Sequence, residues 1–559
     1  MSAVVIALAA MALFYLAGYH WWSRRIAENV LGIDPNESTP AHDPELQDGI
    51  DYVPTQREVL WGHHYSSIAG AAPIIGPAVA VIWGWLPALV WIVFGTIFIG
   101  AVHDFSALVL SARKRGTSMA DIAGEVIHPR VRVLFQIVIY FLIWIVLAVF
   151  GFAIGVLFDH YPASVIPVNA QIIVAVAIGL LVFKRNTKIL IPSLIALVLL
   201  YAIIPFGIDT AESVHSWVSN TSAGLSLDVP TFWAIILLIY AGIASVLPVW
   251  LLLQPRDYIN SHLLIVGLVL LLLGLFVMNP SMQAPPINAN PEGAPPLFPL
   301  LFVTIACGAI SGFHGLVSSG TTSKQLNKMS DARAIGYGGM LGEGMLAVIA
   351  TIAVAAGLKN WDVHYHQWNE SGVKAIARFV EGSGVFLNAL TIPMEFATAV
   401  VAILAICFAA TSMDTAARIQ RFIVTELGRS CGIRALENRY LATAVAVLPA
   451  IPLVMAGQKA WAPLWLLFGT TNQLIGGITL LVLFVYLYRA KRPLMPIALP
   501  MIFVIVMTTG AMVFNLYRWV SVGGANTLTI TLGSCILLLE LWMIVEAVII
   551  VKSLRQEHK

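Results

Sequence analysis

Apolar stretches of membrane length follow one another along the whole chain, separated by short polar breaks. They place spans near 2–20, 61–83, 86–112, 131–157, 165–184, 188–208, 230–253, 260–278, 298–320, 335–358, 386–411, 439–457, 461–488, 496–518 and 525–551. About twenty apolar residues cross the hydrocarbon core as a helix. The pattern therefore predicts an all-α polytopic membrane protein with about fifteen transmembrane helices.

One span is interrupted. Residues 61–77 read Trp-Gly-His-His-Tyr-Ser-Ser-Ile-Ala-Gly-Ala-Ala-Pro-Ile-Ile-Gly-Pro, with Gly70, Pro73, Gly76 and Pro77 inviting a break. Hydrocarbon has no water for free backbone groups, so such a break survives only inside protein or against a polar cavity. A second candidate break, from Tyr240 through Gly242 and Ser245 to Pro248, falls in span 230–253. The bland alternative for either is close helix packing, which Gly and Pro also serve.

The loops set an orientation. Basic residues gather at Arg24/Arg25, Arg113/Lys114/Arg115, Lys184/Arg185/Lys188, Arg256, Lys324/Lys328/Arg333, Arg418/Arg421/Arg429/Arg434, Arg489/Lys491/Arg492 and Lys552/Arg555. All fall on one side if the N-terminus is outside. Loops 158–164, 209–229 and 279–297 hold no Lys or Arg, and 359–385 is the one exception, with Lys359, Lys374 and Arg378. The positive-inside rule then gives a periplasmic N-terminus, a cytoplasmic C-terminus and an odd number of spans.

Composition agrees. Of 559 residues, 59% are hydrophobic and 11% charged, where a soluble protein carries about 25% charged. Mean hydropathy is +0.86. The first apolar run lacks a basic start and reads as a retained helix. Cys307, Cys407, Cys431 and Cys535 show no metal-type spacing and are expected as free thiols.

The two candidate breaks suggest an inverted repeat. Residues 1–60 form an accessory helix and loop, 61–208 a first repeat of five helices, 209–411 a second repeat, and 412–559 accessory helices. The interrupted helix of each half then runs in the opposite sense to the other, which points to a midplane binding site.

Several runs make the chain resemble the carbon-starvation protein A (CstA) family: Asp48-Gly-Ile-Asp-Tyr-Val-Pro-Thr, the 61–77 segment, Gly100-Ala-Val-His-Asp-Phe, Cys307-Gly-Ala-Ile-Ser-Gly-Phe-His, Ser318-Ser-Gly-Thr-Thr and Ser412-Met-Asp-Thr-Ala-Ala-Arg. The match runs from about residue 25 past 490. The resemblance implies a bacterial inner-membrane transporter with a LeuT/APC-like 5+5 inverted repeat. It implies import of small carbon sources, pyruvate or peptides, coupled to H⁺ or Na⁺. His103 stands where a Gln is common in the family.

Candidate site residues follow. Gly70, Ala71, Ala72 and Pro73 could offer free N–H groups to a carboxylate, since half-helix N-termini carry partial positive charge. Gly242 and Ser245 would face them. His63 and His64 are candidates for titration, substrate binding or metal ligation; the alternative is a hydrogen-bonded pair at the membrane surface. His103 and Asp104 read either as a proton relay or as an interface cap. His314 reads as a ligand or a packing histidine. Ser318 and Ser319 read as Na⁺ ligands, by what the resemblance implies for the eighth core helix, or as caps. Glu343 and Glu395 are carboxylates inside spans and candidates for coupled protonation. Asp414 reads as a local i,i+4 ion pair with Arg418. Asn472 and Gln473 read as polar glue between helices. Asp362, His364 and His366 in an outer loop could bind zinc, though the spacing supplies few ligands.

The leading expectation is an ion-coupled importer of a small carboxylate or peptide in the lipid bilayer, with no resident cofactor and no nucleic-acid partner. The alternative is a haem- or metal-binding membrane redox protein using His63, His64, His103 and His314. A sensor lacks an output domain here, and an ATP-driven pump lacks a Gly-x-x-x-x-Gly-Lys-[Ser/Thr] loop.

Overall fold

The computed structural model describes residues 2–49, 51–185, 189–368 and 374–557. Among the described residues the regular structure is entirely helical, with only three isolated bridges. Twelve helices are long and apolar enough to cross a membrane: Ala3–Leu31, Trp85–Arg113, Pro129–His160, Pro162–Val182, Leu190–Asp209, Val229–Val246, Leu253–Met278, Met329–Gly357, Met394–Cys431, Trp461–Arg489, Met495–Ser521 and Thr527–Gln556. The pair Arg57–Ile68 and Ala72–Trp83 passes the same test of length and hydropathy when taken together, bent by 45° at its break.

The two other expected spans take different forms. Span 439–457 is a short helix, Arg439–Met455, turned at Leu448-Pro449 because Pro449 supplies no N–H to the ladder. Span 298–320 is not continuous: it divides into Leu297–Thr304 and Gly312–Val317, the latter running on through Ser318–Thr322 to Gln325.

The second interrupted helix is therefore 297–325, and not 230–253. Helix Val229–Val246 is unbroken, and Pro248 lies in the turn that ends it. Pro acts here as a stop at a helix end. In 297–325 the break carries no proline at all. It is made by close approach: a Cβ on Gly312 would lie 2.3 Å from the Asn472 carbonyl, and one on Gly308 2.7 Å from Ala347.

Burial sorts the helices into a core and a lipid-facing shell. Most residues in the apolar windows of 461–489 (94%), 394–431 (89%) and 329–357 (89%) are buried, against 22% in 527–556 and 33% in both 3–31 and 190–209. Helix 461–489, expected among accessory helices, is therefore central. Helix 394–431 packs along 129–160, and 253–278 along the first half of the bent pair. The two interrupted helices cross where Gly76 meets Thr304: a Cβ on Gly76 would sit 2.5 Å from the Thr304 carbonyl oxygen. Only glycine permits that approach.

Candidate functional site

The first break covers Ala69, Gly70 and Ala71. Ala69 leaves helical geometry (φ −74°, ψ 63°), and the Gly70 N–H turns back to the Ile68 carbonyl at 2.8 Å. The Ala71 carbonyl then accepts from Ile74 and Ile75 N–H, at 3.1 and 2.9 Å, and starts the second half. Pro73 fits that first turn, where an N–H would have no helical partner. Helix 394–431 braces the break. Ser412 Oγ donates to the Ser67 carbonyl at 2.9 Å, and Ser67 and Thr415 hydroxyls meet at 3.3 Å. A Cβ on Gly70 would come within 2.6 Å of Ser412 Oγ. Gly70, Ala71, Ala72 and Pro73 are all buried.

The second break, Ile305–Ser311, is held by one side chain more than any other. Asn472 Oδ1 accepts from the Phe313 N–H at 2.9 Å and from Ser311 Oγ at 3.2 Å; its Nδ2 reaches Cys307 Sγ at 3.3 Å. Gln473 Nε2 donates to the Phe302 carbonyl at 2.6 Å. Thr96 Oγ1 donates to the Gly308 carbonyl at 3.0 Å and Trp91 Nε1 to the Ile305 carbonyl at 3.3 Å. Side chains of neighbouring helices thus take over backbone groups that the helix gives up. The polar glue read from the sequence has this particular target.

Beside this break lies a string of buried ionisable groups. His103 Nδ1 meets Asp104 Oδ1 at 2.7 Å. His314 Nδ1 meets Asp104 Oδ2 at 2.8 Å, and His314 Nε2 meets Glu343 Oε2 at 3.1 Å. All four side chains are fully enclosed. An ionised Asp104 only accepts, so both imidazoles donate through Nδ1 and leave Nε2 for a lone pair or a second proton. His314 Nε2 and both Glu343 carboxyl oxygens are buried without a hydrogen-bond partner, so they stand close but unbonded at this end of the string. Three helices supply these groups: 85–113, the second interrupted helix and 329–357. Cys307, His314 and Glu343 also bring one ligand atom each within 4.8 Å of one another.

A second buried network stands beside the first break. His63 Nδ1 meets Asp257 Oδ2 at 2.6 Å, and Ser66 Oγ donates to the Asp257 carbonyl at 2.9 Å. Arg256 pairs with Asp414 and donates to Tyr240 OH at 2.8 Å; Tyr240 OH donates to Asp414 at 3.0 Å. Asp257 was missed in the sequence, and Arg256 was counted with the loop cations. The signal was an Arg-Asp pair at the start of an apolar run. Asp414 is not the i,i+4 partner of Arg418, which reaches Asp51 at 3.5 Å instead. The long guanidinium stem lets Arg418 point away from its own helix.

His64 turns to Thr322 Oγ1 at 2.9 Å, so adjacent His63 and His64 serve different neighbours. Ser319 Oγ donates back to the Gly315 carbonyl at 2.8 Å, and Ser318 Oγ points to the Asp104 carbonyl at 3.4 Å. The hydroxyls that meet the first break are instead Ser412 and Thr415. Other expected residues lie elsewhere. Ser245 bonds to the Gly242 carbonyl at 2.9 Å and Thr443 Oγ1 at 3.3 Å, and Gly242 packs near Thr443 and Val447. They join the unbroken helix Val229–Val246 to helix Arg439–Val447. Glu395 is exposed in the first turn of 394–431, where its charge complements the helix N-terminus. Asp362 is exposed and His364 half-buried on helix Trp361–Tyr365, and His366 is exposed just past its end, with no three-ligand cluster there among the described residues.

The architecture defines a multi-pass helical membrane protein built around interrupted helices. Its fold matches the crystal structure of a manganese transporter from Eremococcus coleocola in complex with an aromatic bis-isothiourea substituted compound (TM-score 0.51, 11% identity, 91% of this chain and 99% of that one). The sequence profile described as carbon starvation protein CstA matches residues 2–373 and 365–511, and the chain belongs to that family. It is 38% identical over 363 residues to the peptide transporter CstA of Bacillus subtilis (strain 168), covering 64% of this chain and 58% of that one. It is 38% identical over 360 residues to the pyruvate/proton symporter BtsT of Escherichia coli (strain K12), covering 63% and 49%. The peptide transporter CstA of the same organism is 32% identical over 542 residues, covering 86% and 76%. The chain thus spans about half the length of the first two of these relatives.

Proposed function

We propose that this chain is a secondary transporter that imports a small carboxylate such as pyruvate, or short peptides, across a bacterial inner membrane by alternating access. Protons drive it, moving through His103, Asp104, His314 and Glu343. The observation that carries this reading is the string of four enclosed ionisable groups at the second break, beside the crossing of two interrupted helices. Ionisable groups inside a bilayer are costly and mark ion or proton pathways. The first break, with Gly70, Ala71, Ala72 and Pro73, docks the solute carboxylate on half-helix N–H groups. His63 and His64 flank that place. The names of the relatives, a peptide transporter and a pyruvate/proton symporter, agree with both solute classes.

The same reading redraws the 5+5 repeat. The first repeat begins at Arg57 and the second at Leu297, each opening on its interrupted helix. The hairpin formed by 162–182 and 190–209 is then an insertion in the first repeat. The N-terminus lies in the periplasm and the C-terminus in the cytoplasm, following the basic loops, with the short helix Arg439–Met455 crossing as well so that the number of crossings stays odd.

The test is uptake of radiolabelled pyruvate and of glycylglycine into proteoliposomes with imposed pH gradients, with Na⁺ replaced by choline. Accumulation that follows the pH gradient in choline supports proton coupling. Accumulation that needs Na⁺ transfers coupling to a cation at Ser412 and Thr415. A second reading, a metal protein, is favoured by one observation: the closeness of Cys307, His314 and Glu343. Metal analysis of the purified chain decides it, because stoichiometric transition metal would occupy the positions that the proton route needs.

A further inference from the structure

Beyond the string of histidines, where Lys324 stands in the last turn of the second interrupted helix, lies a separate cavity of about 150 Å³. Its walls include Tyr52, Ser118, Ser319, Lys324, Phe422 and Glu426. The proposed orientation turns it to the cytoplasm. The Lys324 ammonium lies 4.8 Å from the Phe422 ring centroid and 5.4 Å from that of Tyr52. Two aromatic faces hold the cation in place, and no described carboxylate lies within 4.0 Å of it to neutralise it. On the wall from helix 394–431, Glu426 Oε2 accepts from Ser118 Oγ and Gln136 Nε2, both at 3.2 Å. The other acid of the lining, Asp121, is taken by Arg132 at 3.1 Å. One cation, Lys324, and two acids, Glu426 and the Arg132-paired Asp121, therefore line the same small space.

Tyr52 stands in the cavity wall, and its backbone is held on both sides. Asp48 Oδ1 accepts the N–H groups of Asp51 and Tyr52, each at 2.9 Å, and the Thr55 N–H donates to the Gln325 carbonyl at 3.1 Å. Tyr52 OH donates to the Arg115 carbonyl at 3.3 Å. Burial, then the charges of Asp48 and Asp51, raise the Tyr52 phenol above its usual range, so it stays a neutral donor.

We propose that this cavity is a second solute site, for a small zwitterion such as an α-amino acid or dipeptide, whose carboxylate pairs with Lys324 and whose ammonium pairs with Glu426. A monoanion such as pyruvate satisfies Lys324 but is repelled by Glu426. The ligand class rests on the transport reading above. In the proposed orientation the site lies on the cytoplasmic side, with Tyr52 in its wall.

The test is calorimetric titration of the full chain in lipid nanodiscs with glycylglycine and with pyruvate. Both are repeated in a Gly70→Leu background, which fills the first break and leaves this cavity untouched. Glycylglycine binds there, Glu426→Gln weakens it at least tenfold, and the same change strengthens pyruvate. Lys324→Gln weakens both. Glycylglycine binding that ignores Glu426→Gln, or wild-type pyruvate binding of equal strength, overturns the proposal. Where Gly70→Leu does not fold, Ser118→Cys supplies the readout: glycylglycine slows its alkylation, pyruvate does not, and unslowed alkylation overturns the site. Preloading proteoliposomes with glycylglycine separates the source of the ligand. Faster uptake marks the transported solute at this site, and slower uptake marks a cytoplasmic pool. Zwitterion binding without any transport would keep this site and remove the transport reading; peptide transport with an empty cavity would do the reverse.

Discussion

Asp104 joins two imidazoles, and Asp104→Asn tests what that junction does. The carboxylate accepts from His103 Nδ1 at 2.7 Å and from His314 Nδ1 at 2.8 Å, with every group enclosed. An amide of the same shape keeps one acceptor and turns an NH₂ toward the other ring. One histidine must then change tautomer or leave its N–H facing a donor. A hydrogen bond to a charged group contributes about 2 kcal/mol, and burial leaves no water to replace it. That is roughly a 30-fold shift in the equilibrium between proton positions, at about 1.4 kcal/mol per tenfold. If His314 passes its proton to Glu343, uptake driven by a pH gradient falls 10- to 100-fold, on the order set by that shift. Exchange of labelled for unlabelled solute across the same vesicles, which needs no net proton movement, is much less affected. Asp104→Asn protein that accumulates solute against a gradient as the wild type does would refute the relay.

Three further outcomes follow from the packing. Gly70→Ala already sets a methyl 2.6 Å from Ser412 Oγ, so it destabilises by about 1–3 kcal/mol; Gly70→Leu abolishes uptake, and normal uptake by Gly70→Leu protein would separate the first break from the solute. Asn472→Ala strips the second break of its bonds to Phe313, Ser311 and Cys307, which costs about 2–4 kcal/mol in lost and orphaned groups; a thermal-stability assay in detergent shows a clear fall, and an unchanged midpoint would mean that other groups hold the break. Arg256→Leu leaves Asp414 buried without its cation and costs about 3–5 kcal/mol; adding Asp414→Leu restores much of the expression lost, and a double variant no better than the single one would contradict the pairing.

The helical membrane class was legible because apolar runs of that length have no other use, and the first break was legible because glycine and proline announce it. The second break was not. Its residues, Ile305 to Ser311, read as an apolar membrane helix, and what interrupts them is Asn472, more than 160 positions later. Conversely, Pro248 looked like an interruption and is a helix end, since proline stops a helix as readily as it kinks one. The ionisable string was half legible. His103, Asp104, His314 and Glu343 were each singled out, but their junction depends on three helices meeting. The Arg256–Asp414 pair was hidden by a nearer cation: Arg418 stands one turn from Asp414 in sequence and points elsewhere. Glu395 misled because span edges are uncertain by several residues, enough to move a carboxylate from the interior to an exposed first turn.

The central claim is that solute entry carries protons along His103, Asp104, His314 and Glu343. The most direct measurement follows the pH inside proteoliposomes with a trapped dye, with no gradient imposed, as pyruvate or glycylglycine is added outside. The account predicts prompt acidification of the lumen with wild-type protein in choline buffer, and none with Glu343→Gln. A lumen that stays at constant pH while the solute enters, or acidification that survives Glu343→Gln, would contradict it.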